Sequence, residues 1–213
     1  MNNQFEIKIC GINDEISMSA AINCKADYIG LVFYPKSPRN ISINLCKKLL
    51  KLRNKFSKVV ALTVNPEDDF LIEIKKNVKP DYIQLHGNEN PKRCLDIKKK
   101  INIPLIKGIN VKNKVDLLKT TKKFEDICDI LLLDAPSEVL PGGNGKKFDW
   151  GILREFKPKT KWMLAGGLNI NNIKNAIDVT NAPAIDISSG LEIRKGLKDP
   201  KLIEDFMIKC QSL

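Results

Sequence analysis

A cysteine followed at once by glycine closes the first apolar run of the chain, FEIKIC (5–10), and an aspartate follows a later one, DILLL (129–133). A free thiol has a reference pKa near ~8.5 and needs only modest help to accept a proton. A carboxyl at an apolar rim tends to hold its proton and so suits a general acid. Cys10 and Asp134 therefore read as a base and an acid that need no metal and no cofactor. The plainer alternatives are a small buried side chain for Cys10 and a surface charge for Asp134. A terminal position on an apolar run favours chemistry for both.

Two further runs end in small residues. Gly166 and Gly167 follow WMLA (162–165), and Ser188, Ser189 and Gly190 follow AIDI (184–187). Glycine lets backbone N–H groups approach an anion without obstruction by Cβ. Together the two loops suggest a phosphate seat, although each alone is ordinary turn chemistry. Arg39 lies in FYPKSPRNIS, where two prolines stiffen the chain. It reads either as a bidentate partner for a substrate carboxylate or as half of a surface ion pair. Asp186 points to the same mouth or into a core ion pair. His86, in QLHG, lines the pocket or satisfies a loop carbonyl. The stretch APSEVLPGGNGKKFDW, with Gly142, Gly143 and Gly145, reads as a flap or as a plain connection.

These residues need a frame that brings strand ends together. Eight short apolar runs, at 5–10, 28–33, 58–64, 82–85, 104–109, 129–133, 162–165 and 184–187, have the length and β-branched content of buried parallel strands. Helical stripes lie between them: Leu45, Leu49, Leu52 and Phe56 behind an N-cap at Ser42; Val111, Val115 and Leu118; and Ile203, Phe206 and Cys210. Strict alternation of strand and helix implies right-handed crossovers. Eight such units in 213 residues suit one compact α/β fold, a (β/α)8 TIM barrel spanning 1–213 as a single domain. The rival is a doubly wound open sheet, but no GxGxxG follows the first strand. In a barrel, the loops after strands seven and eight are the recurrent phosphate position.

Bulk properties narrow the function further. The formal charge is +11, and 36 residues are Lys or Arg, all but five of them Lys. The lysines are dispersed in pairs and triplets on the helical segments, and aromatics make up only 6%. Nucleic-acid readers concentrate charge on one face and favour Arg or stacking aromatics, so a solvated helix surface is expected and no nucleic-acid partner. Mean hydropathy is −0.21, and no run approaches the roughly 18 apolar residues of a spanning helix. No membrane association and a cytoplasmic location are expected. Six cysteines without a CxxC pair, and one histidine, exclude the usual zinc spacings.

The motifs KICGI (8–12), GLVFYPKSPRNIS (30–42), QLHGNE (84–89), LLLDAP (131–136), PGGNGKKFDW (141–150), LAGGLNINNI (164–173) and IDISSGLE (185–192) together resemble the phosphoribosylanthranilate isomerases of tryptophan biosynthesis. The resemblance runs almost end to end and in order. It implies a (β/α)8 barrel that performs an Amadori rearrangement without cofactor on a small phosphorylated substrate; a lone barrel works equally as a monomer or homodimer. It also implies that Cys10 is the general base, Asp134 the general acid and Arg39 the partner of the anthranilate carboxylate. Gly166, Gly167, Ser188, Ser189 and Gly190 become the phosphate cradle, and Asp186 a substrate contact. Asn13, Thr63, Asn144 and Lys147 depart from the pattern. Other readings are a different sugar-phosphate barrel, which would call for metal-binding His clusters or a catalytic Lys, and a basic binding protein on a barrel scaffold.

Overall fold

In the computed structural model, which describes residues 5–134 and 149–213, eight parallel strands close into a barrel in sequence order. They are β1 (Glu6–Cys10), β2 (Tyr28–Phe33), β3 (Lys58–Thr63), β4 (Tyr82–Leu85), β5 (Leu105–Asn110), β6 (Ile130–Asp134), β7 (Lys161–Leu164) and β8 (Ala184–Ile187). Each apolar run of the sequence is one of these strands, to within a residue or two. The helices are α1 (Glu15–Asn23), α2 (Ile43–Leu49), α3 (Asp68–Asn77), α4 (Pro91–Ile101), α5 (Lys114–Phe124), α6 (Ile173–Thr180) and α7 (Pro200–Gln211). Between β6 and β7 the described residues form a 3-10 turn, Trp150–Leu153. The glycines of the expected flap, with Asn144 and Lys147, lie outside the described residues. A short antiparallel pair, β9 (Glu192–Arg194) and β10 (Leu197–Lys198), follows β8.

Local chemistry sets where the helices begin and end. Asp14, Ser42, Asn90, Asn113 and Asp199 each accept a backbone N–H from the first helical turn, which satisfies donors with no partner inside the helix. The lysine excess has a place here. Lys47 and Lys48, Lys75 and Lys76, Lys98 to Lys100, and Lys122 and Lys123 occupy the last turns of α2 to α5, where positive charge meets the negative end of the helix dipole.

Two of the expected stripes differ from the buried faces. α2 stops at Leu49, so Leu52 is 40% and Phe56 71% exposed. In α5 the Asn113 cap starts the helix after Val111, so Val115 and Leu118 face solvent while Leu117, Thr121 and Phe124 are buried. Ile203, Phe206 and Cys210 are buried as expected.

Side chains alternate along every strand. Ile7 and Ile9 join the layer packed under the helices. Tyr28, Val60, Ile106, Ile130, Leu132, Met163 and Ala184 fill the barrel interior. Above them Cys10, Val32 and Leu62 form a small apolar collar. The inward row of β1 is therefore Glu6, Lys8 and Cys10, and that of β8 is Ala184 and Asp186. The fold thus puts the last inward residue of each strand at one common mouth.

Candidate active site

One cavity opens at the carboxyl ends of the strands, and its lining includes Cys10, Arg39, His86, Asp134 and Asp186. Gly166, Gly167, Ser188 and Ser189 line it too. Gly190 does not. A Cβ there would lie 2.0 Å from the Leu168 carbonyl oxygen, so Gly190 is where the loop after β8 packs on the loop after β7. A second, wider groove at the other end of the barrel is lined by groups such as Phe5, Asp27, Phe56 and Trp162, and by none of Cys10, Arg39, His86, Asp134 or Asp186.

Cys10 is 5% exposed and heads the inward row of β1. It pairs in register with Gly30 of β2, and its carbonyl accepts the Ser188 hydroxyl at 3.0 Å. Burial pushes the thiol above its ordinary range and Asp186 adds to that, while Lys8 and Lys198 pull it down. The next residue, Gly11, has φ +83, and a Cβ on it would meet Arg39 Cδ at 2.4 Å. Only glycine turns the chain there and lets the arginine stem pass.

Asp134 ends β6, three strands round the barrel from Cys10. Its Oδ2 is 3.4 Å from His86 Nε2. The other imidazole nitrogen, Nδ1, is 2.8 Å from Gln84 Nε2. Gly108 of β5 makes room for the ring, since a Cβ there would sit 2.9 Å from Nδ1. The imidazole thus belongs to the mouth and not to a loop carbonyl.

Arg39 is no surface ion pair. It is 6% exposed, and its Nε and Nη2 donate to Glu192 Oε1 and Oε2 at 2.6 and 2.8 Å. That side-on clasp uses two of five N–H donors and leaves the Nη1 side for another planar anion. Glu192 also accepts from Lys198 at 2.6 Å and from the Gly196 amide at 3.0 Å. Burial would raise its carboxyl, but Arg39 and Lys198 hold it at about 2. Asn13 donates to the Gly196 carbonyl at 2.9 Å, so the loop after β1 is tied to the same hairpin.

Asp186 resolves the choice left by the sequence by doing both things. It lines the cavity and accepts from Lys8 Nζ at 2.8 Å. Lys8, 0% exposed in the inward row below Cys10, was not marked by the sequence. Nor were Gln84, Glu192 and Lys198. The signal for Lys8 was a cation two residues before Cys10, set between Ile7 and Ile9.

Residues 7–209 match the family model described as N-(5'phosphoribosyl)anthranilate (PRA) isomerase. The N-(5'-phosphoribosyl)anthranilate isomerase of Parvibaculum lavamentivorans is 40% identical over 207 residues, which cover 95% of this chain and 96% of that protein. Among solved structures, phosphoribosyl anthranilate isomerase from Thermotoga maritima aligns with a TM-score of 0.88 at 31% identity, over 98% of this chain and all of that one. A phosphoribosyl anthranilate isomerase in complex with reduced 1-(o-carboxyphenylamino)-1-deoxyribulose 5-phosphate aligns with a TM-score of 0.85 at 30% identity, over 98% of this chain and 100% of that one. Among the described residues no helix is long and apolar enough to cross a membrane.

Proposed function

This chain belongs to the N-(5'-phosphoribosyl)anthranilate isomerase family, the aldose–ketose isomerases of tryptophan biosynthesis, and on that premise we propose that Cys10 is its general base and Asp134 its general acid. Asp134 gives a proton to the ribose ring oxygen as the C1'–O bond breaks and the anthranilate nitrogen forms a C=N bond to C1'. Cys10, as thiolate, then takes the C2' proton, and the enolamine formed tautomerises to the ketose. One proton is given and one taken, so the count closes over two side chains.

The observation that carries this reading is that Cys10 and Asp134, 124 positions apart in the chain, line one cavity from different sides of the barrel. The loops bearing Gly166, Gly167, Ser188 and Ser189 border the same cavity, and they are assigned the substrate phosphate. Gly190 serves that seat from behind, by allowing the two loops to meet. The Nη1 side of Arg39 is assigned the anthranilate carboxylate. His86 is assigned to the ring-opening end of the cavity, beside Asp134, and Asp186 to the Cys10 end. The whole of 1–213 is read as one catalytic domain working in the cytoplasm on this small phosphorylated substrate.

The test is turnover of freshly generated substrate, followed by the loss of its fluorescence. Cys10→Ala and Asp134→Asn should each lower kcat by about 10²-fold or more, with KM changed far less. Near-normal kcat in both purified variants would overturn the assignment.

A further inference from the structure

Lys8 is the one cation in the inward row of β1, fully buried, with no place in the two-residue proton scheme. A buried ammonium is costly unless it is paired. Its partner is Asp186, directly opposite in the β1–β8 register, at 2.8 Å. Burial alone would discharge it, but Asp186 and Cys10 hold Lys8 above the ordinary lysine range. It is therefore a fixed positive charge.

That charge stands against the sulfur. A Cβ built on Gly30 would lie 3.0 Å from Cys10 Sγ and 3.1 Å from Lys8 Nζ. The thiol and the ammonium thus crowd over one glycine of the neighbouring strand, which has no side chain to part them. Other charged or titratable groups face the thiol from further round the mouth: Asp186 from β8, Lys198 from β10, Arg39 beside Gly11, and His86 and Asp134 from β4 and β6. Of the attractions acting on the sulfur, that of Lys8 is the largest.

We propose that Lys8 is a positioning residue for the isomerisation: its ammonium, anchored by Asp186, is the counter-charge that lets the buried Cys10 exist as a thiolate. A thiolate in an apolar collar would otherwise be an unpaired buried charge. Asp186 then has a second task besides any substrate contact, because it keeps Lys8 charged and in place while itself opposing the thiolate. The gain comes from Lys8 acting on the sulfur more strongly than Asp186 does. The idea rests on Cys10 as the base, and the two can be tested apart.

The experiment is iodoacetamide alkylation of Cys10 between pH 7 and pH 10, followed by mass spectrometry of its peptide, in wild type, Lys8→Met and the neutral pair Lys8→Met/Asp186→Asn. At pH 8 Lys8→Met should react at least about tenfold more slowly, a shift of one pH unit or more, and the deficit should shrink once the pH reaches the range in which the wild-type thiol itself ionises. The double variant should fall between the two, because it removes the repulsion of a lone Asp186 along with the attraction of Lys8. It also leaves no unpaired charge, so it serves if the single variant does not fold. Rates that match wild type, or a deficit that persists after wild-type alkylation has levelled off with pH, would overturn the inference, since packing or access alone slows the thiolate itself. Parallel pH profiles of kcat/KM should shift with the alkylation profiles. Shifted alkylation with an unshifted turnover profile retains Lys8 as the counter-charge and overturns Cys10 as the base.

Discussion

Arg39 meets Glu192 side-on, Nε to Oε1 and Nη2 to Oε2, across 153 positions of sequence. The clasp fixes the plane of the guanidinium and therefore the direction of its remaining donors. Replacing Glu192 by Gln keeps the shape but turns an amide N–H₂ toward the arginine. The guanidinium then loses a charge-assisted bond worth about 1.5–3 kcal/mol. The expected result is a KM raised about tenfold or more with kcat changed much less, read from steady-state kinetics. An unchanged KM would show that Arg39 needs no orientation by Glu192.

The same carboxylate makes stability depend on pH. Burial works against its charge, yet Arg39 and Lys198 bring Glu192 from 4.5 down to about 2. A depressed carboxylate stabilises the fold above its unfolded pKa, and that contribution is lost as the pH falls toward the folded value. The span from 4.5 to about 2 corresponds to on the order of 3 kcal/mol. Thermal unfolding should therefore show Tm falling between about pH 4.5 and pH 2. Other carboxylates titrate in this window as well, so the comparison is with Glu192→Gln, whose Tm should start lower and fall less.

The barrel was legible because each strand is a short apolar run with polar punctuation, and burial on both faces writes that pattern directly. Cys10 and Asp134 stood out for a related reason: a polar residue ending an aliphatic run has few structural uses. Lys8 was hidden because its meaning depends on Asp186, 178 positions away and opposite it only once the barrel closes. Glu192 was hidden likewise. Arg39 was visible, but its buried partner was not, so the segment left a surface ion pair open. The stripe through Val115 and Leu118 failed because three apolar residues fit a helical period without saying which face the core takes. The Asn113 cap settles that, and it was the better local signal.

Gly30 is a sharper test of the packing beneath the thiol. An added Cβ would come within 2.9 Å of Cys10 Cα, which is strand backbone in register with it. Neither strand can give way without opening the ladder, so Gly30→Ala should cost about 1–3 kcal/mol through overpacking. That is a Tm drop of several degrees for a chain of this size. Turnover at a permissive temperature should fall too, because Sγ and Lys8 Nζ occupy the space the methyl would take. Normal Tm together with normal kcat would mean that the strands are less constrained than their register implies.

Gly190 separates phosphate binding from chemistry. The Cβ of an alanine there would fall 2.0 Å from the Leu168 carbonyl and 3.1 Å from Asn169 Cα. Both partners are in the loop after β7, so the clash can be relieved only by driving the two loops apart. If those loops hold the phosphate, Gly190→Ala should weaken inorganic phosphate more than it slows the chemical step. Phosphate that stabilises the native protein raises Tm in proportion to ln(1 + [L]/Kd). The wild-type Tm should therefore climb with phosphate concentration, and that of Gly190→Ala should climb only at about tenfold higher concentrations, with KM raised and kcat closer to normal. Sulfate should follow phosphate, while chloride at equal ionic strength should not. Equal phosphate dependence in both proteins would move the anion seat away from the junction of these two loops.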